Sequence, residues 1–454
     1  MKFADVLKFL VVTLFISILF YLSIYGNLTK HSATAPASGK IDNIIKAPEA
    51  IISEAELARL IAKDPEVLEY YSFDEEGLSI YASPADKAIF NAECKIFYDE
   101  FDIFKKLFKN ADIESLKIIY EKKGTQKLNL QQYEGYLPTN SKKYGDLPLS
   151  GIRIALDPGH LGGDMETAMM EGKFVRIQNS DGSITEFNEG NLVFNTATIL
   201  AKKLEAQGAK VFITKKRKGL SAFDITYDEW LKTSFQKELK NAFDVEKLSQ
   251  QEYDLLKASN DKKEIFESFF KRLDIEERAR KINAFRPDLC LVLHYNVDEE
   301  NYFERDRELQ LMQPTPANYG MVFIPGSFLK NELSKVEERI ELMRLLLTND
   351  LATSLRFNSF IMHSIVENLQ VPPISEDSEM GYISRASVYT GVPGVFSRNL
   401  ALTRMVHAPI CYTEPLCQDN EIEYKRLADG SRTKEVAEAY FKGIMQYFAD
   451  SNIQ

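Results

Sequence analysis

The sequence predicts an α/β protein: a mostly parallel central sheet of five or six strands flanked by helices, preceded by a small N-terminal accessory region and an N-terminal membrane anchor. Three observations predict it. From Gly151 onward, short apolar runs alternate with helical stretches, the rhythm of strands joined by the helices that cover them. The 454 residues, 44% of them hydrophobic, suffice for one large core with an appendage. Near the start, Lys2 and Lys8 precede the uncharged run Phe9–Tyr25, which approaches the roughly 20 residues of a spanning helix.

Taken in order, residues 1–26 read as a signal anchor. Ala35-Pro36-Ala37 before Ser38 has the small residues of a cleavage site but lies well past the apolar run, which favours an uncleaved anchor. With Lys2 and Lys8 held inside, the body of the protein is expected outside the cytoplasm, anchored to the membrane, or released from it if the segment is cleaved. Residues 27–47, rich in Ser, Ala, Thr, Pro and Lys, read as a flexible tether. Residues 48–147 form the accessory region, with helical periodicity over Glu54–Ala62 and Ala92–Phe108 and a strand-like run at Leu78–Tyr81, but no motif. Residues 148–454 hold the main domain. Its expected strands are Ile152–Leu156, Val211–Thr214, Asp288–His294, Met321–Ile324 before the turn Pro325-Gly326, and Pro409–Glu414. A helix over Asn191–Gln207 places Leu192, Ala197, Ile199, Leu200 and Leu204 on one face and ends at Gly208; further helices are expected near Lys335–Leu355 and Lys434–Phe448. Two segments interrupt the rhythm. Lys173–Glu189 reads as a β-hairpin about Asp181-Gly182, and residues 221–275 read as a charged helical insertion carrying the only tryptophan, Trp230.

Composition narrows the function classes. Lys and Arg total 56 against 67 Asp and Glu, a formal charge of -11, so nucleic acid is not an expected partner. The four cysteines, Cys94, Cys290, Cys411 and Cys417, form no CxxC pair and no dense framework, and Cys290 and Cys411 sit in apolar runs as small buried hydrophobes would.

The five histidines can be weighed one at a time. His31 lies in the tether. His160 follows the run Ile154–Gly159 and His294 ends the run Leu289–Leu293, so each stands at the carboxyl edge of an expected strand, where open α/β sheets collect ligands. His363, in a helical stretch, and His407, in the loop before the last strand, read as structural or solvent-facing. A hydrolytic zinc site needs three protein ligands, usually His and carboxylate, with one position left for water. Glu189, alone, would read as a helix-start carboxylate favoured by the macrodipole; beside His160 and His294 it supplies the third ligand. Glu414 terminates the apolar strand Pro409–Thr413, where a charge is costly unless paired or used, and so reads as a general base. Arg398 and Arg404 could meet carboxylates of a peptide or serve as surface charges.

At these residues the chain resembles a known family, the zinc-dependent N-acetylmuramoyl-L-alanine amidases of the amidase 3 type. The resemblance rests on DPGHLGGD at Asp157–Asp164, EGN at Glu189–Asn191, Arg278 and Asn283 before LHYN at Leu293–Asn296, and Glu414 followed by Asn420, all in the family's order. It covers Gly151 to the carboxyl end. It implies one zinc ion held by His160, Glu189 and His294, with Glu414 as the catalytic acid and base, and hydrolysis of the amide between the lactyl group of N-acetylmuramic acid and L-alanine in peptidoglycan. Asp157 is expected to fix the turn and orient a neighbouring histidine. The chain departs from the family pattern at Leu161, inserted before Gly162-Gly163; at Leu293 and Tyr295, which flank His294; at Pro415-Leu416-Cys417-Gln418-Asp419 after Glu414; and in the long stretch between Arg217 and Arg278. That insertion could shape a groove, pack on the outside as a solvated helix pair, or cover the zinc until an activator protein removes it. Two rival readings stand beside the amidase: a zinc peptidase or deacylase on another envelope amide, and a non-catalytic envelope scaffold.

Overall fold

The computed structural model describes residues 53–129, 145–299, 301 and 311–450. The expected anchor and tether, and with them His31, lie outside the described residues; among those described, no helix is long and apolar enough to cross a membrane. Residues Glu49–Gln454 form one compact unit.

The unit opens with the helix Glu54–Ile61, whose first turn is capped by the Ser53 hydroxyl accepting from the Glu56 N–H. Strands β1 (Tyr71–Phe73), β2 (Gly77–Ile80) and β3 (Cys94–Phe97) then make a small antiparallel sheet. The helix expected over Ala92–Phe108 is thereby corrected. Its first part is β3, and the helix proper runs Phe101–Asn110, because the alternating burial of Cys94 and Ile96 against β2 outweighs the helical periodicity of the phenylalanines that follow. The helix Ile113–Lys123 completes this layer.

The main sheet begins with β4 (Arg153–Pro158). The hairpin β5 (Phe174–Gln178) and β6 (Ile184–Asn188) follows as expected and leads straight into the helix Glu189–Ala206. Next come β7 (Lys210–Ile213), β8 (Leu289–Leu293), β9 (Met321–Ile324), β10 (Ser387–Tyr389), β11 (Val395–Arg398) and β12 (Ile410–Glu414). The sheet has seven strands in the order β10-β11-β9-β12-β8-β4-β7. It is mixed: β10 with β11 and β12 with β9 are antiparallel, while β11/β9, β12/β8, β8/β4 and β4/β7 are parallel. The expected five or six strands thus fall short, because β10 and β11 are short and the turn Thr390–Gly394 between them carries the glycines and proline that mask a strand pair in sequence.

One face of the sheet is covered by the helices Glu189–Ala206, Asp350–Leu369 and Ser431–Ala449, packed on Leu156, Leu291, Val322 and Cys411. The helix expected near Lys335–Leu355 is two helices, Val336–Leu347 and Asp350–Leu369, parted at Thr348-Asn349. The helix Lys271–Phe285 packs on the other face, against Ala155, Cys290 and Ile410. All four cysteines are buried and free. The insertion folds around its own apolar cluster of Tyr227, Trp230, Phe235, Phe266, Phe269 and Phe270, so the solvated helix pair allowed by its charge is corrected to a small packed body.

Candidate metal centre and catalytic carboxylate

Parallel strands β4 and β8 are adjacent, so the residues just past their carboxyl ends converge. His160 follows β4 with φ of 60°, a left-handed conformation that a non-glycine residue adopts at some cost. His294 follows β8, and the two rings meet edge to face with centroids 4.6 Å apart. Gly159 makes that approach possible, since a Cβ there would fall 2.2 Å from the His294 Cε1. Glu189 enters from the side at the first turn of its helix, whose N-cap is the Asn188 side chain. Glycine is needed again at position 190, where a Cβ would lie 2.3 Å from the backbone nitrogen of Gly162.

His160, Glu189 and His294 offer ligand atoms that all lie within 4.8 Å of one another. Glu189 is 1% exposed and its Oε1 sits 3.0 Å from His294 Nδ1, accepts the Tyr295 N–H at 3.1 Å, and lies 3.2 Å from His160 Nε2. The last contact is out of line for a hydrogen bond, so this buried imidazole nitrogen has no hydrogen-bond partner among the described residues. A buried imidazole nitrogen set beside a carboxylate without a hydrogen bond is an unfavourable arrangement by itself and a fitting one around a divalent cation. Burial works to lower the His160 pKa, but the charges of Glu189 and Glu171 outweigh it and raise it. Burial, with His160 adding repulsion, lowers His294 to about 4. Glu189, despite burial, is held well below the ordinary carboxylate range by His160 and Lys173, whose Nζ lies 3.9 Å away.

Glu414 closes β12 on the same side of the molecule. Its Oε2 is buried without a hydrogen-bond partner among the described residues, and burial together with the Glu189 charge raises its pKa well above the usual value. Tyr412, two residues earlier and on the same face of the strand, stacks flat on His294 with centroids 4.5 Å apart and 10° between planes. The sequence-predicted quartet is therefore brought together: two histidines at neighbouring strand ends, a helix-start glutamate, and a strand-end glutamate.

Other expectations need correction or completion. Asp157 does not orient a histidine. It is fully buried, accepts the Thr214 hydroxyl and lies 3.6 Å from the Arg278 Nη1. Arg278 also pairs with Asp274, which accepts the Ala222 N–H at 2.6 Å and so ties the insertion to the sheet. The residue that orients His160 is Glu171, absent from the sequence reading: its Oε1 accepts from His160 Nδ1 at 2.9 Å and its Oε2 from the Leu161 N–H at 3.0 Å. Burial works to raise the Glu171 pKa, yet His160 holds it at about 2. Lys215 was also missed. It is buried, donates to the carbonyl oxygens of Gly159 and His160, and burial lowers its pKa to about 7. Glu171 ends a short helix capped by Gly172 and Lys215 lies just past β7, so neither carried a local signal.

The asparagines of the motifs hold loops. Asn191 clamps both the N–H and the carbonyl of Gly163, Asn283 bonds Met405 and His407, and Asn420 gathers the carbonyls of Thr315 to Ala317. His363 pairs with Glu367 on its own helix. His407 is buried, its ring nitrogens 2.8 Å from the Phe108 carbonyl and 2.8 Å from Glu341. Arg404 bonds Asn399 at 3.1 Å, whereas Arg398 lies over the rings of Phe323 and Tyr382.

Residues 154–446 match the N-acetylmuramoyl-L-alanine amidase family. The comparison with curated proteins gives no significant match. Among solved structures, the N-acetylmuramyl-L-alanine amidase of Mycobacterium smegmatis is 13% identical over 67% of this chain and 99% of its own, with a TM-score of 0.36. The CwlD amidase of Clostridioides difficile, solved in complex with the GerS lipoprotein, is 16% identical over 65% of this chain and 98% of its own, at 0.37. An N-acetylmuramoyl-L-alanine amidase of Nostoc punctiforme is 12% identical over 66% and 98%, at 0.34.

Proposed function

Because the chain belongs to the N-acetylmuramoyl-L-alanine amidase family, we propose that it hydrolyses the amide joining the lactyl group of N-acetylmuramic acid to L-alanine of the peptidoglycan stem, with one zinc ion held by His160, Glu189 and His294. The observation that carries this reading is the three-donor cluster within 4.8 Å beside a buried, unpartnered Glu414 carboxylate. When bound, zinc supplies Lewis acidity toward the scissile carbonyl and brings the acidity of water toward a pKa of about 7. The protein's own groups do the rest. Glu171 holds the proton on His160 Nδ1 and turns Nε2 inward. Glu189, anchored by the Tyr295 N–H, keeps its carboxylate between the two rings. Glu414 takes the proton of the attacking water and passes it to the departing alanine nitrogen. Tyr412 holds the His294 ring flat against the sheet.

In the same reading, residues 1–26 anchor the chain in the membrane with the catalytic body outside the cytoplasm, residues 27–47 tether it, residues 48–147 are an accessory region of the domain that spans 148–454, and an activator protein acts on the 221–275 insertion. Turnover of purified full-length protein on cell-wall sacculi, with and without chelator, tests the chemistry. Wild type should release peptides with free amino-terminal L-alanine and lose this with chelator. Glu414→Gln should retain its zinc and lose about 10²- to 10⁴-fold in rate. Release of internal peptide fragments instead would replace the amidase by a peptidase, and zinc binding without any release would favour the scaffold.

A further inference from the structure

The sheet face that carries Glu414 and Tyr412 continues across β9 and β11. Tyr412 pairs with Phe323 and Phe323 with Phe396, so these three rings occupy one row. Side chains alternate along a strand, which puts Glu414 and Arg398 on the same face, on opposite sides of that row because β12 runs antiparallel to β9 and β11 parallel to it. The rings form a continuous floor: His294 on Tyr412 at 4.5 Å, Tyr412 against Phe323 at 6.1 Å, and the Arg398 guanidinium 5.5 Å from the Phe323 centroid. The guanidinium also lies 5.2 Å from the Tyr382 ring centroid, and the Tyr382 hydroxyl reaches Asn296, beside the metal ligand His294, at 3.4 Å.

Among the described residues this guanidinium makes no hydrogen bond and no ion pair; its contacts are the two rings. The Glu414 and Glu332 charges both reach it without forming an ion pair; Glu332 is engaged through its Oε2 by the Asn399 side-chain amide at 2.7 Å and the Leu329 N–H at 2.9 Å. An arginine held against two aromatic rings keeps its planar fork of donors oriented while sacrificing little conformational entropy, the arrangement suited to a carboxylate rather than to a point anion. Arg404, by contrast, is committed to Asn399.

We propose that Arg398 forms a carboxylate subsite that binds a free carboxylate of the leaving peptide, one end of an aromatic floor whose other end is the metal cluster. The proposal rests on the amidase reading and deepens it. In a muramyl stem, the residue after L-alanine is D-glutamate linked through its γ-carboxyl, so its α-carboxyl is either free or amidated. Arg398 separates the two forms. It touches no reacting atom and acts as a specificity residue.

The test is calorimetric binding of two γ-linked tripeptide amides, L-alanyl-γ-D-glutamyl-L-lysinamide, whose only carboxylate is the D-glutamate α-carboxyl, and its α-amidated counterpart L-alanyl-D-isoglutaminyl-L-lysinamide, which has none, to the full-length zinc-loaded protein, beside turnover of the matching muropeptides. Wild type should bind the free acid roughly 10- to 100-fold more tightly, the value of charge-assisted hydrogen bonds. Arg398→Gln should bring that ratio near one, and Arg398→Lys, which keeps the charge but not the fork, should retain part of it. A wild type without preference, or Arg398→Gln with the preference intact, overturns the subsite. Preference in binding without release from any muropeptide leaves the subsite standing and removes the amidase reading; release from both muropeptides with no preference does the reverse.

Discussion

Glu171 shows how much of the site depends on a residue that bonds to a member of the cluster. Its carboxylate takes the His160 Nδ1 proton and the Leu161 N–H together, so one side chain fixes both the ring and the turn that carries it. Glu171→Gln keeps an acceptor but removes the charge, and zinc affinity should fall roughly 10- to 100-fold in chelator competition; unchanged affinity would mean that the turn alone orients the ring. Gly159→Ala is a steric counterpart. Its Cβ would lie 2.2 Å from the His294 ring, so the ring must move and zinc binding should be lost while the far-ultraviolet spectrum stays that of the wild type. The sequence made His160, Glu189, His294 and Glu414 legible because each stands at the end of an apolar run or at a helix start, where topology fixes position. Glu171 and Lys215 were illegible because what matters about them is three-dimensional, a carboxylate folding back on His160 and an ammonium beneath its carbonyl. Asp157 was misread for the same reason: its neighbours Thr214 and Arg278 come from distant segments.

At the scale of elements, the inserted Leu161 that breaks the glycine-rich turn finds its explanation in the insertion. Leu161 is 2% exposed and belongs to the same apolar cluster as Trp230 and Phe270. The residue next to His160 is thus a peg in the core of the helical body, and these two departures from the family pattern are one feature. Leu161→Ala should cost about 2–5 kcal/mol of local stability, read as faster amide exchange across Tyr227–Phe270, with weaker zinc binding as its consequence; fast exchange with unaltered zinc affinity would separate the body from the site. A second inter-element device is the buried set of His407, Glu341, Arg344 and Asp350, which joins the loop before β12 to the helix Val336–Leu347 and, through the Phe108 carbonyl, to the helix Phe101–Asn110. Burial works to raise the Glu341 pKa, but His407 and Arg344 hold it at about 2. A carboxylate with a depressed folded pKa stabilises above its unfolded pKa of about 4.3, and that stabilisation is lost as pH falls toward about 2. Between pH 5 and pH 3 the wild type should therefore lose up to about 2 kcal/mol more than Glu341→Gln in urea unfolding, although the variant starts out less stable; parallel pH profiles would place the acid sensitivity elsewhere.

For the molecule as a whole, the α/β class was legible because strands β4, β7, β8, β9 and β12 are apolar runs with clear boundaries, whereas β10 and β11 are too short and too close to glycine and proline to announce themselves. Packing between the accessory residues and the sheet was hidden for a different reason: it is made of backbone. The Leu60 carbonyl accepts from the Ser327 N–H and the Ile61 carbonyl from the Phe328 N–H, each at 2.7 Å. Side chains reinforce the seam. Arg339 grips Glu93 through two nitrogens, and Leu60, Ile61, Phe104 and Leu107 share one apolar cluster with Ile324, Phe328 and Ile340. Cutting the chain before residue 148 would expose that cluster and strand the Ser327 and Phe328 donors, each unsatisfied group costing about 1–3 kcal/mol. The shortened protein should therefore melt at least 10 °C lower than the same chain begun at residue 49, or fail to stay soluble, even though every predicted site residue remains. The comparison of these two proteins by calorimetry decides whether residues 49–147 are an appendage or part of the fold: equal melting temperatures with equal zinc content would make them an appendage, and a large deficit would mean that the catalytic sheet is completed by a segment in which no motif can be read.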